Sequence, residues 1–207
     1  MNYKIALIKG DGIGPEVVGE AVKVMDTIGA KFGHTFEYAD ILMGGCAIDQ
    51  VGKSYPEGTA EQCKTCDAVL LGAVDGPKWG HSTDPDKRPE TALLSIRKDL
   101  GLYANLRPAA LRPALADACP LKKETADKGI DLMMVRELTG GIYFGKKDRY
   151  QTEDRGEEAS DLLAYSEKEI ERIGRRAFEL AQLRSKKLAS VDKANVLESS
   201  RLWRQVM

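Results

Sequence analysis

The stretch K-G-D-G-I-G-P-E, Lys9 to Glu16, separates the apolar run Y-K-I-A-L-I from a helical pattern, and its reading decides the fold. Glycines at positions 10, 12 and 14 on a strand-to-helix turn invite comparison with a phosphate cradle. A dinucleotide-binding βαβ unit needs G-x-G-x-x-G, its third glycine packing helix against strand. Here the spacing is G-x-G-x-G, and Pro15 stands where that third glycine belongs. Proline suits the first helical turn, where its missing N–H has no intrahelical partner anyway. The acid that such a site needs about twenty positions on is out of place, since the next candidate strand ends at Asp40. The spacing disfavours a Rossmann site and predicts a tight turn launching an amphipathic helix.

Outward from that turn, Val18, Ala21, Val22 and Met25 recur at helical spacing, which predicts a helix from Pro15 to about Ile28. T-F-E-Y-A-D-I (35–41) alternates like a strand, and D-A-V-L-L-G-A-V (67–74) is a second apolar strand running into a glycine. Strand–helix–strand alternation argues for a parallel α/β sheet. Residues 75–90 form a long polar loop with three prolines, of a length usually reserved for function. The helix T-A-L-L-S-I-R-K-D-L follows, ending at Gly101. Strand-like Y-A-N-L-R-P-A-A-L, D-L-M-M-V-R-E (131–137) and G-I-Y-F-G-K (141–146) come next. The charged, turn-rich 147–161 reads as a protruding hairpin, and Ser166 with Glu169 as a capping box. L-A-S-V-D-K-A-N-V-L (188–197) reads as another strand and turn, before a helix that is still mid-pattern at Met207.

The 207 residues suit one or two domains, and 43% hydrophobic with 30% charged residues can bury an ordinary core. A formal net charge of −1 argues against nucleic acid or an acidic membrane as the main partner. No apolar run approaches the roughly twenty residues that span a bilayer, and the short apolar start broken by Gly10 does not read as a signal peptide. A cytoplasmic setting is the expectation. Cys63 and Cys66 form a C-x-x-C, a redox pair or half of a zinc site. Cys46, Cys119, His34 and His81 offer no paired spacing to complete four ligands, so the cysteines read as packing residues and the histidines as solvated.

Arg97 stands late on a helix, Arg107 ends a strand before Pro108, and Arg136 ends the strand D-L-M-M-V-R. Arginines at strand ends of an α/β sheet sit where ligands usually bind. Together they suit a small di- or tricarboxylate, which guanidinium groups grip with paired charge-assisted hydrogen bonds. Ordinary salt-bridged surface arginines are the competing reading. Tyr143 and Lys193 both follow strand-like segments. A partly desolvated lysine among cations can act as a base, and a tyrosine can return a proton to a carbanion. Either residue read alone is as well explained as ordinary surface.

Five segments in order carry a more specific signal: G-D-G-I-G-P-E, G-A-V-D-G-P-K-W, E-T-A-L-L-S-I-R-K-D-L-G-L-Y-A-N-L-R-P, V-R-E-L-T-G-G-I-Y-F-G and S-V-D-K-A-N-V-L. They resemble the β-decarboxylating dehydrogenases of the isocitrate/isopropylmalate type, from Met1 to Met207. The resemblance implies an α/β, isopropylmalate/isocitrate dehydrogenase-like two-domain fold that is not Rossmann. Residues 1–100 would form part of the first, cofactor-side domain, and 101–207 part of a second, carrying substrate residues and a dimer arm. It implies NAD and Mg²⁺ or Mn²⁺ as cofactors, and oxidative decarboxylation of a small hydroxy-dicarboxylate.

Residue by residue, the resemblance implies that Arg97, Arg107 and Arg136 bind substrate carboxylates. Tyr143 would protonate the enol and Lys193 would help remove the hydroxyl proton. Ile13, Gly76, Pro77, Lys78, Trp79 and Pro89 would line the cofactor. Glu90, Leu93 and Leu94 favour 3-isopropylmalate, the leucines offering an apolar wall to its isopropyl group. An apolar contact discriminates by only about 1–3 kcal/mol, so malate, tartrate and homoisocitrate stay as alternatives. A homodimer is implied, with Lys193 serving the partner's site and 147–165 forming a clasping arm. The family's metal-binding aspartates are expected beyond Met207, so no metal ligand is assigned here. The chain reads as C-terminally truncated, with bare sheet edges and no activity of its own. A non-catalytic remnant is the rival from another class.

Overall fold

The computed structural model describes residues 1–79 and 82–207, so His81 and its expected solvation lie outside the described residues. The chain divides into two compact units, Met1–Gly101 and Leu102–Met207.

The first unit is built on β1 (Asn2–Gly10), the middle strand of a three-stranded sheet. β2 (Thr35–Asp40) and β3 (Ala68–Ala73) pair with it on either side, both parallel, with Ile5 opposite Tyr38 and Leu7 opposite Leu70. Ile5 and Leu7 pack with Val18 of α1 (Gly14–Phe32), which connects β1 to β2. Ala6 and Ile8 point to the opposite face and join Ile41, Met43, Cys63, Ala92 and Ile96. A strand covered on both faces needs an unbroken apolar run rather than an alternating one, which is what I-A-L-I supplies. The second layer carries α2 (Gly45–Val51), α3 (Thr59–Lys64) and α4 (Pro89–Asp99).

α1 runs four residues past the expected end at Ile28, to Phe32. Gly33 stops it with φ of 71°, a left-handed cap that only glycine adopts cheaply. Its outward side leaves Val17, Val24, Ile28 and Phe32 exposed. Cys63 is a core residue and Cys66 packs against the same cluster; all cysteines are free thiols. His34 is not solvated as expected: its ring meets the edge of Tyr3 at 5.8 Å, and its Nδ1 is buried.

Two amides of the glycine turn are already engaged within the chain, which argues against a phosphate cradle. The Asp11 amide donates to Ala73 O at 2.6 Å, and the Gly14 amide to Asp11 O at 2.8 Å. A Cβ at Gly10 would lie 1.9 Å from Ala73 O, and one at Gly14 2.0 Å from Lys9 O. Those glycines serve close approach of the turn to its own strands. The Asp11 side chain, 4% exposed, accepts from the Gly45 and Cys46 amides at 2.8 and 2.7 Å. The motif thus holds an anion of its own, aimed at the start of α2.

The second unit pairs β4 (Ala104–Ala110) and β5 (Asp131–Glu137) antiparallel, joined through α5 (Lys123–Ala126). β4 continues through Pro108 rather than ending at Arg107, because its far edge is unpaired and needs no donor there. β6 (Lys147–Thr152) and β7 (Gly156–Asp161) form a separate hairpin, as expected. α6 (Glu167–Gln182) opens on the Ser166–Glu169 capping box and buries Ile170, Ile173 and Ala177. α7 (Glu198–Val206) follows. Two strand expectations fail. Residues 141–143 make a 3₁₀ turn, and 188–197 form no strand, since no described strand pairs with them.

Asp11→Ala is expected to destabilise the first unit by roughly 1.5–3 kcal/mol, the range for a hydrogen bond to a charged group. Urea unfolding checks this, with Gly10→Ala destabilising independently through its clash with Ala73.

Candidate active site

Register places two of the sequence-derived arginines together. Asn105 stands directly opposite Arg136 in the β4–β5 ladder, and Arg107 lies two residues along β4. Directly paired residues and i, i+2 neighbours share a face of a sheet, so both guanidinium groups emerge on one side. Arg107 Nε donates to Asn105 Oδ1 at 3.0 Å, which steers it along the strand. Both arginines are exposed. The Arg136 guanidinium lies over the ring of Tyr143 at 5.3 Å, and Tyr143 is half exposed.

The turn that delivers Tyr143 is built around Glu137, which sequence reasoning missed. Glu137 follows Arg136 and points to the opposite, buried face. Its carboxylate accepts the Thr139 and Gly140 amides at 3.0 and 2.7 Å and the Thr139 hydroxyl at 3.0 Å. Arg172 of α6 pairs with it at 2.7 Å and also covers the Tyr103 ring at 4.9 Å. Tyr165 packs beneath Gly140 and Gly141, where added Cβ atoms would fall 3.0 and 2.4 Å from its ring and hydroxyl. Burial, followed by the Glu137 charge, pushes the Tyr165 phenol above its usual range. The signal available in sequence was the acid at the strand end followed by L-T-G-G.

Lys193 sits in a loop that α7 grips. Arg204 donates twice to the Asp192 carboxylate, at 3.0 and 2.8 Å, and the Ala194 amide adds a bond at 2.9 Å. Trp203 Nε1 donates to Ser190 Oγ at 3.0 Å, and Arg201 Nε to Ala194 O at 3.0 Å. Trp203 also meets the edge of Tyr165 at 5.5 Å, so packed side chains run from the Tyr143 turn to the Lys193 loop. Lys193 itself is exposed rather than desolvated, and its ammonium forms no ion pair among the described residues.

In the first unit, Glu90, Leu93, Leu94 and Arg97 recur at i, i+3, i+4 and i+7 along α4. That spacing puts them on one helical face, turned away from buried Pro89, Ala92 and Ile96. The 76–79 segment docks on α2. Lys78 and Trp79 Nε1 both reach Asp49, at 2.7 and 3.3 Å, and the indole closes on Gly45 and Gly76. Ile13 is 57% exposed and Pro77 is exposed, whereas Pro89 is fully enclosed within the helix start.

A cavity of about 660 Å³ in the second unit is lined by Met133, Val135, Ile173, Leu188, Trp203 and Met207, with Arg136 and Tyr143 at its edge. Arg136 is its only cation among the described residues, so most of it is uncovered core rather than an anion pocket. No group of three or more His, Cys, Asp or Glu among the described residues could hold a metal ion.

The isocitrate/isopropylmalate dehydrogenase profile matches residues 4–207, and the chain belongs to that family. Among its relatives, the 3-isopropylmalate dehydrogenase of Oleidesulfovibrio alaskensis is 53% identical over 100% of this chain and 58% of its own length. That of Moorella thermoacetica is 56% identical over 99% of this chain and 57% of its own. The crystal structure of isocitrate dehydrogenase from Methylococcus capsulatus matches with a TM-score of 0.77 at 28% identity, over 99% of this chain and 55% of that one. The chain therefore spans rather more than half the length of the relatives it matches. The fold is the two-domain one of this family and not a Rossmann fold.

The Asp192 carboxyl is held below the usual carboxylate range, first by the Arg204 guanidinium and then by the Ala194 amide. A lowered carboxyl adds stability that is complete above the unfolded pKa of about 3.9 and is lost as pH falls through the folded value. Urea unfolding across pH should show Asp192→Asn less stable than the parent at pH near 7, with the gap closing at acid pH.

Proposed function

We propose that this chain carries the substrate-gripping and proton-transferring residues of an NAD-dependent dehydrogenase that oxidatively decarboxylates (2R,3S)-3-isopropylmalate to 4-methyl-2-oxopentanoate and CO₂, a step of leucine biosynthesis. The observation that supports it most is Arg136 stacked on Tyr143, on the strand face shared with Arg107. Cations beside a phenol suit a substrate that presents carboxylates and later needs a proton on carbon.

Arg107 and Arg136 grip the carboxylates, and on the family's pattern Arg97 belongs to the same set. Glu90, Leu93 and Leu94 face the substrate's side chain, the leucines excluding water from the isopropyl group. Lys193, serving the site of the second copy, accepts the hydroxyl proton there, and Tyr143 delivers a proton to the carbon that loses CO₂. Bound NAD would supply the acceptor for the hydride of the hydroxyl-bearing carbon. Ile13, Gly76, Pro77, Lys78 and Trp79 offer it a surface, with Lys78 and Trp79 held by Asp49, whereas Pro89 is enclosed and supports that surface from beneath the helix start. The family's chemistry also draws on Mg²⁺ or Mn²⁺. Among the described residues, no group of three or more His, Cys, Asp or Glu could hold that ion.

The partner we propose is a second copy of the chain. The β6–β7 hairpin supports it, since an isolated two-stranded hairpin is marginal in water and gains by stacking on another. A cytoplasmic setting fits a chain in which no described helix is long and apolar enough to cross a membrane.

Calorimetric titration is expected to show isopropylmalate binding more tightly than D-malate, and tighter D-malate binding rejects the substrate. Arg107→Ala should weaken binding roughly 10- to 100-fold, as loss of a charge-assisted hydrogen bond does. In a form that reduces NAD with Mg²⁺ or Mn²⁺, Lys193→Met should lower turnover by roughly 10²–10⁴.

A further inference from the structure

Glu137 takes no part in the reaction above, yet its carboxylate is 1% exposed and filled with donors on both oxygens. Burying a charge is tolerated only when it is fully hydrogen-bonded. Here the bonds go to the Thr139 and Gly140 amides, the backbone that leads into the 3₁₀ turn Gly141–Tyr143. Tyr165 closes the other side of that backbone, and Gly141, at φ of 73°, passes it because it carries no Cβ to meet the phenol. The turn is pinned between a carboxylate and a phenol.

The two neighbouring site residues are held by different means. Arg136 is fixed by the β4–β5 ladder, opposite Asn105. Tyr143 belongs to no ladder and stands where the turn leaves it. We propose that Glu137 is the positioning residue that sets the Tyr143 phenol against the Arg136 guanidinium, with Arg172 as its counterion. Its consequence for catalysis rests on the reading of Arg136 and Tyr143 as site residues, whereas its geometric content does not. Loss of the carboxylate displaces the proton donor and leaves the carboxylate grip in place.

Glu137→Gln is the direct test, because the amide presents an NH₂ where one oxygen met only donors. The whole chain is labelled with 3-fluorotyrosine, and the Tyr143 resonance is assigned by its loss in Tyr143→Phe. In Glu137→Gln that resonance is expected to move toward its position in Arg136→Leu, while Tyr38 and Tyr55 keep theirs and report an intact first unit. Arg172→Lys, which retains the counter-charge, leaves Tyr143 nearer its original position than Glu137→Gln does. An unmoved Tyr143 resonance in a folded Glu137→Gln overturns the proposal. Should that variant not fold, Thr139→Val removes one donor to the carboxylate and should move the resonance in the same direction; no movement there overturns it equally. Titration with isopropylmalate separates the two readings. A Tyr143 resonance that ignores the ligand in the parent chain counts against the substrate assignment, while the unliganded comparison still decides the role of Glu137. If the parent does respond, Glu137→Gln should keep the parent's affinity with Tyr143 displaced, and a lost affinity with Tyr143 in place overturns the proposal.

Discussion

A carboxylate buried against backbone amides is the constraint on which both units depend. Asp11 in the first unit and Glu137 in the second each give up water and recover the loss from backbone amide hydrogens, Asp11 from the start of α2 and Glu137 from the turn that follows it. Such a bond is directional and charge-assisted, so it fixes a backbone where apolar packing would only confine it. In each case the anchored backbone then positions what comes next. Asp11 sets the start of α2, and α2 carries the Asp49 that receives Lys78 and Trp79. Glu137 sets the turn that carries Tyr143.

This gives the glycine-rich turn a different physical meaning from the one its composition suggests. A phosphate loop leaves amides free so that a ligand can supply the anion. Here the Asp11 and Gly14 amides bond to the turn's own chain, and the anion is a side chain of the turn itself. The shared glycines answer a need for close backbone approach, common to both designs. What separates them is the acid at position 11 and the proline at 15.

Features set by near neighbours in the chain were readable from residue order: the strand–turn–helix at the start, the Ser166–Glu169 cap and the hairpin at 147–161. The five ordered motifs carried the family as well. Features set by distant partners were not readable. L-A-S-V-D-K-A-N-V-L has the look of a strand but finds no strand to pair with, because α7 meets it with side chains instead. Glu137 and Asp192 looked like ordinary acids, since only Arg172 and Arg204, 35 and 12 residues away, reveal why they are buried or held. His34 likewise looked solvated until Tyr3 was brought beside it.

The antiparallel pairing of β4 and β5 has a last consequence, which concerns chain length. Alternate residues of a strand face opposite ways, so the sidedness of Arg107 and Arg136 is a matter of odd and even positions. One residue inserted between Asn105 and Arg107, or between Arg136 and the paired stretch before it, sends a guanidinium to the wrong side while leaving every side chain's chemistry untouched. Two inserted residues restore the parity. Insertion of residues in pairs therefore preserves the shared face, whereas a single added residue does so only where a β-bulge absorbs it.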